Sequence, residues 1–191
     1  MSDERAARLF VAIDLSEEAR DIIAREQERI RARVPAALRF VPAPQLHLTL
    51  AFMAAVDRPH VPAIEACIGA QFDVTPFRVR FAGLGVLPPR GRPRVLYMTC
   101  AEGADEVMAL QRVVADRLEQ VGVRRERRPF RPHLTIARWR EGGVTDRRLV
   151  SSHGVDAMAE QRVTAVTLYD SRLSRTGAVH RALVRGKLLA G

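Results

Sequence analysis

Two histidines sit in nearly identical surroundings, His47-Leu48-Thr49-Leu50 and His133-Leu134-Thr135-Ile136. In an extended strand, residues two apart share a face, so each copy presents an imidazole and a hydroxyl together. Leu48, Leu50, Leu134 and Ile136 then point into a core and keep the polar face from rotating. An imidazole has an unperturbed pKa of about 6.5, so one histidine can accept a proton while the other donates one near neutrality. Two threonine hydroxyls can donate to the non-bridging oxygens of a phosphate. The set suits the opening of a cyclic phosphodiester, with water attacking phosphorus in line and the departing ribose oxygen protonated from the opposite side. Residue chemistry alone leaves open which histidine is the acid. A metal site would need three or four protein ligands, and neither motif supplies the cysteine or carboxylate help such a site uses. The expectation is a reaction without metal or cofactor. A single H-x-T-x is ordinary strand packing; its duplication is what argues for chemistry.

The elements that must hold these strands can be read from pattern. Arg8 to Leu15 reads as a strand, and Ser16, Glu17 and Glu18 begin a helix running to about Arg33. Leu38 to Val41 is a short strand, Leu46 to Phe52 alternates, and Val61 to Phe72 is helical. Phe77 to Leu87 and Arg94 to Cys100 are strands, Glu106 to Val121 is the second long helix, and His133 to Trp139 is extended. Val163 to Tyr169 and Val179 to Leu188 close the chain as strands, with Leu149 to Glu160 unassigned. Two long helices beside mixed antiparallel strands predict an α+β protein, and the duplicated motif suggests two lobes facing one another across a cleft, within one domain over residues 1–191 with an H-x-T-x strand in each lobe.

Composition narrows the classes further. At 191 residues the chain can build one good-sized core or two small lobes folded together. No G-x-G-x-x-G follows the first strand and no P-loop occurs, which excludes those nucleotide-binding devices. No apolar run is long enough to span a membrane, and the acidic N-terminus does not read as a secretory signal, so a cytoplasmic protein is expected. Cys67 and Cys100 form no C-x-x-C pair. The net charge of +9 comes with Lys187 as the sole lysine among 31 basic residues. Arginine suits phosphate recognition, which favours an RNA or other polyanionic partner, although an even spread of arginine is also a compositional habit.

With these motifs on view, the chain resembles the 2H phosphoesterase superfamily, and within it the RNA 2',3'-cyclic phosphodiesterases, also called 2'-5' RNA ligases. The resemblance is carried by RLFVAIDL, RFVPAPQLHLTLAF, GLGVLPPRGRPRVLY, RPFRPHLTIAR and LYDSRLSRTGAVHRAL, spread over nearly the whole chain. It implies a bilobal α+β fold, with two antiparallel sheets lining a central cleft and helices outside, and metal-independent hydrolysis of a 2',3'-cyclic phosphate to a 2'-phosphate. It places the catalytic pairs on His47 with Thr49 and on His133 with Thr135, and makes His47 the acid and His133 the base. The substrate implied is RNA with a 2',3'-cyclic phosphate end or a small cyclic nucleotide, and a monomer is expected. The chain departs from the family pattern at His180, often an aromatic, and at Tyr97, often a tryptophan.

Other residues are candidates for substrate contact. Arg131 shares the strand phase of His133, whereas Arg138 falls on the opposite phase unless the strand twists; the resemblance gives weight to Arg138 as the residue closing HLTIAR. The arginine-rich stretch from Arg124 to Arg131 could wall an RNA groove or be a solvated loop. Phe40 and Phe130 are candidates to stack on a base, and His180 to contact substrate, while Phe52 is expected in the core opposite His47. His60 and His153 are read as peripheral. Two other functions stay open: 2'-5' ligation at the same site, and RNA-end binding without turnover.

Overall fold

A computed structural model describes residues 6–33, 38–140, 158–174 and 177–189. The opening strand β1 (Ala6–Asp14) buries Leu9, Val11 and Ile13 on one face and Phe10 and Ala12 on the other, so its middle is covered on both sides. Ser16 then caps α1 (Glu17–Arg33), its Oγ accepting from the Ala19 N–H at 3.1 Å. Glu17 and Glu18 sit at the positive end of this helix, and Ala19, Ile23, Gln27 and Ile30 form its buried stripe. After β2 (Leu38–Phe40) and a 3-10 turn at Ala43–Gln45, the first motif opens β3 (His47–Asp57). The helix α2 (Val61–Gly69) is shorter than its sequence pattern suggests. The chain leaves the helix so that Phe72 can bury itself beside the final strand, bridging to Leu188.

The remaining elements are β4 (Phe77–Leu87), β5 (Val95–Glu102), α3 (Ala104–Gln120), β6 (His133–Trp139), β7 (Ala159–Val163), β8 (Ala165–Ser174) and β9 (Gly177–Lys187). The expected strand from Val163 to Tyr169 is in fact the junction of two. At Thr164 the chain passes from β7, which pairs with β4, to β8, which pairs with β1 and β9. The uninterrupted β-rich stretch VTAVTLY hides this change of sheet. Of the segment left unassigned, residues 149–157 lie outside the described residues, as does His153.

Two antiparallel sheets result, with helices outside them: a four-stranded sheet of order β3-β1-β8-β9 and a five-stranded sheet of order β2-β6-β5-β4-β7. One motif strand lies in each sheet, and β3 and β6 touch. A single cluster of buried side chains runs through both, from Leu9, Leu48 and Leu168 to Leu96, Leu134 and Ile136. Among the described residues, no helix is long and apolar enough to cross a membrane.

Candidate active site

The two motif strands are built alike down to the hydrogen bonds of their histidines. His47 Nδ1 lies 2.7 Å from the carbonyl oxygen of Gln45, and His133 Nδ1 lies 2.7 Å from that of Arg131. A carbonyl only accepts, so each Nδ1 carries the proton and each neutral ring keeps its lone pair on Nε2. The residue two positions upstream thus fixes the tautomer in both motifs. Thr49 and Thr135 have no hydrogen-bond partner among the described residues, which leaves both hydroxyls available to a ligand.

A second shared feature is a bulge. In the pairing of β1 with β3, Ala12 faces Thr49 but Val11 faces Ala51, so Leu50 is skipped. In the pairing of β5 with β6, Tyr97 faces Thr135 but Leu96 faces Ala137, so Ile136 is skipped. Each bulge falls on the fourth residue of its motif and reverses the in-out phase of the residues after it. This overturns the expected positions of two residues. Phe52 pairs across from Phe10, on the face of His47, and is 50% exposed where a core position was expected. Arg138 comes back onto the face of His133 and Thr135, and lies near enough to lower the proton affinity of His47 in the other sheet.

The surroundings of the two rings differ. His47 stacks on Phe10 with ring centroids 4.7 Å apart, Phe10 stacks on Tyr169 at 5.0 Å, and His180 stands edge-on to His47 at 5.7 Å. Burial lowers the pKa of His47, the Gln45 carbonyl raises it, His180 lowers it, Asp14 raises it and Arg138 lowers it, in decreasing order of effect. Asp14 is the cross-strand neighbour of His47 and is held by the hydroxyls of Thr167 and Tyr169, each at 2.6 Å. Burial and the bond to Asp14 push the Tyr169 phenol well above its ordinary pKa, so it remains a donor. His133, by contrast, has a single ring contact among the described residues, a T-shaped one with Tyr97 at a centroid distance of 5.3 Å. The Tyr97 ring lies directly over Gly85, where a Cβ would come within 2.2 Å of it.

The structure gathers most of the predicted contacts and adds others. His180 belongs to the His47 ring cluster; burial and Arg8 lower its pKa. Arg131 and Phe130 line a chamber that reaches Thr49 and His133. Phe40 is placed elsewhere, packed on the core with the Arg31 guanidinium 4.7 Å from its ring centre. Arg8 was not singled out from sequence, because one arginine within a strand carries no pattern. Its guanidinium stands 4.7 Å from the Phe52 ring centre; burial first, and then the charge of Arg8, lower the pKa of Arg138, so two cations from opposite sheets influence one another. A pair of like charges set this way makes the space between them attractive to an anion. Gln27 was equally unmarked; its Nε2 donates to the carbonyls of Val41 and of the bulge residue Ile136, both at 2.8 Å. Among the described residues, no three His, Cys, Asp or Glu side chains are grouped to hold a metal ion.

A family model described as the 2'-5' RNA ligase superfamily matches residues 17–175. An RNA 2',3'-cyclic phosphodiesterase of Archaeoglobus fulgidus is 27% identical over 176 residues, covering 92% of this chain and 97% of its own. One from Thermus thermophilus is 34% identical over 137 residues, covering 69% and 68%. Among solved structures, a Thermus thermophilus protein superimposes with a TM-score of 0.79 at 28% identity, over 96% of this chain and 98% of that one. Escherichia coli LigT in complex with 3'-AMP gives 0.76 at 27% identity with the same coverage. Matched at the level of the motifs, the sheets and nearly the whole length, this chain belongs to the 2'-5' RNA ligase superfamily, in the RNA 2',3'-cyclic phosphodiesterase family of the 2H phosphoesterases.

Proposed function

We propose that the protein hydrolyses a 2',3'-cyclic phosphate at an RNA end to a 2'-phosphate and a 3'-hydroxyl, with no metal in the reaction. The observation that carries this reading is the matched Nδ1 hydrogen bond of both histidines, which leaves two Nε2 atoms for proton transfer. His133 Nε2 takes a proton from water as its oxygen attacks phosphorus. The bond from phosphorus to the ribose 3' oxygen breaks, and His47 Nε2–H protonates that oxygen. The two rings have then exchanged protonation states and return through solvent. Thr49 and Thr135 donate to the non-bridging oxygens, and Arg8 and Arg138 offset their charge. The acid role of His47 follows the family resemblance; burial above all lowers its proton affinity, so the protonated form this role needs is scarcer at neutral pH than in a free imidazole.

Phosphorus NMR on a defined 2',3'-cyclic-phosphate substrate, with chelator present, tests reaction, regiochemistry and metal independence together. The 2'-monophosphate is the expected product. His47→Ala and His133→Ala should each lose about a hundred- to ten-thousand-fold in kcat. Retained hydrolysis in the double variant would sink the mechanism. The family description also names ligation, which favours a second reading: a 5'-hydroxyl replaces water as the nucleophile, with His133 taking its proton and His47 still protonating the departing 3' oxygen. Supplying both RNA ends and finding a 2'-5' junction in the product would establish it.

A further inference from the structure

The two histidines are anchored alike but steadied differently. His47 is flanked by Phe10 and His180, whereas Tyr97 is the one ring that His133 meets among the described residues. The hydrogen bond between Nδ1 and the Arg131 carbonyl fixes one edge of the His133 ring and leaves its plane free to rock about that bond. Tyr97 stands against this motion, its ring inclined at 69° to the imidazole.

A third strand lets Tyr97 reach this place. Gly85 of β4, Tyr97 of β5 and Thr135 of β6 pair in one row across the five-stranded sheet, on the face that carries His133. The tyrosine ring lies down over Gly85, where an added Cβ would stand 2.2 Å from its Cζ, 2.4 Å from the phenol oxygen and 2.6 Å from Cε2. The glycine is not needed for its backbone: Gly83, Gly91, Gly103 and Gly122 have positive φ, and Gly85 does not. Its missing side chain is the space the ring occupies. The phenol has no hydrogen-bond partner among the described residues, so what the glycine secures is the position of the ring and not a bond from its hydroxyl. We propose that Tyr97 is the positioning residue of His133, with Gly85 as its seat, and that the pair keeps the His133 Nε2 lone pair aimed at the nucleophile. This inference rests on the reaction proposed above, in which His133 is the base. A ring free to rock spends less time aligned for proton transfer, which slows the bound substrate rather than weakening its binding.

A double-variant cycle tests it, read in kcat and KM on a dinucleotide ending in a 2',3'-cyclic phosphate. Tyr97→Ala should lower kcat about ten- to a hundredfold and change KM less than about threefold, while Tyr97→Phe keeps the original kcat. Gly85→Ala should reproduce the loss by displacing the ring. Added to Tyr97→Ala it should cost nothing more, because the ring it evicts is already gone. Thermal melts check that the variants fold; Tyr97 is half-buried, and Tyr97→Leu replaces the alanine variant should that one unfold. Full kcat in Tyr97→Ala, an equal loss in Tyr97→Phe, or additive losses in the double variant each overturn the proposal. The His133 ring resonances, followed by NMR, separate it from the reaction itself. They should shift alike in Tyr97→Ala and Gly85→Ala even if the unsubstituted protein turns over no cyclic phosphate, which would overturn the reaction; unshifted resonances overturn the positioning whatever the turnover.

Discussion

The proton affinity of His47 is set by competing neighbours rather than by any one of them. Burial, His180 and Arg138 pull it down; the Gln45 carbonyl and Asp14 hold it up. Removing the negative charge in Asp14→Asn leaves the lowering influences less opposed, so the pKa of His47, already below the ordinary 6.5, should fall further. The protonated form is the acid in the proposed direction. Its population at neutral pH therefore shrinks, and the limb of the rate profile that tracks His47 moves to lower pH. Recording the His47 ring resonances by NMR across pH would show this directly; an unchanged or higher midpoint would mean that Asp14 does not act on the ring through its charge. At this scale the sequence revealed the residues that occur twice and concealed those that occur once. His47 and His133 announce each other through a shared spacing, whereas Asp14, Tyr169 and Arg8 lie in stretches that read only as strand. Their alternation assigns them a face but says nothing of the imidazole across it.

At the scale of elements, the alternating pattern was a sound guide as far as the fourth residue of each motif. Beyond it, the bulges at Leu50 and Ile136 invert the phase, and Phe52 and Arg138 emerge on the face that simple alternation denies them. No residue in LHLTLAF or HLTIAR advertises a bulge, since the skipped residues are ordinary buried aliphatics. What holds the second bulge is remote in sequence: the Ile136 carbonyl accepts from both Gln27 Nε2 and the Val41 N–H. Gln27→Leu should leave the Val41 carbonyl without this donor and the bulge carbonyl with one donor instead of two. A buried polar group stripped of its partner costs about 1–3 kcal/mol, so the urea midpoint should drop accordingly. Because the bulge aims Arg138, kcat/KM on a cyclic-phosphate RNA should fall as well. Destabilisation with full activity would show that the bulge persists without the glutamine.

For the molecule as a whole, the α+β class and the duplicated strand were legible because each rests on local periodicity, whereas the two antiparallel sheets were implied by the family resemblance. How the sheets are joined was not, because it depends on side chains whose partners are far along the chain. Gln161, buried on β7 of the five-stranded sheet, accepts from the Ser16 N–H at 2.8 Å and donates to the Asp14 carbonyl at 2.7 Å. It thereby ties one sheet to the end of β1, the strand that carries the cross-strand neighbour of His47. Gln161→Leu removes both bonds and should cost about 1–3 kcal/mol. It should also lower kcat more than it raises KM, because the two proton-transfer groups ride on different sheets. Steady-state kinetics beside a denaturant titration would separate these effects, and an unaltered kcat in a destabilised variant would confine Gln161 to stability.

The likeness of the two motif strands has a limit five residues beyond each histidine, where the reversed phase delivers Phe52 on one side and Arg138 on the other. Anchors, hydroxyls and bulges repeat; this position does not. Two equivalent histidines by themselves would handle a phosphodiester presented either way round. An aromatic surface on one strand and a cation on the other supply the missing sense of direction, and the cation also reaches across to weaken the hold of His47 on its proton.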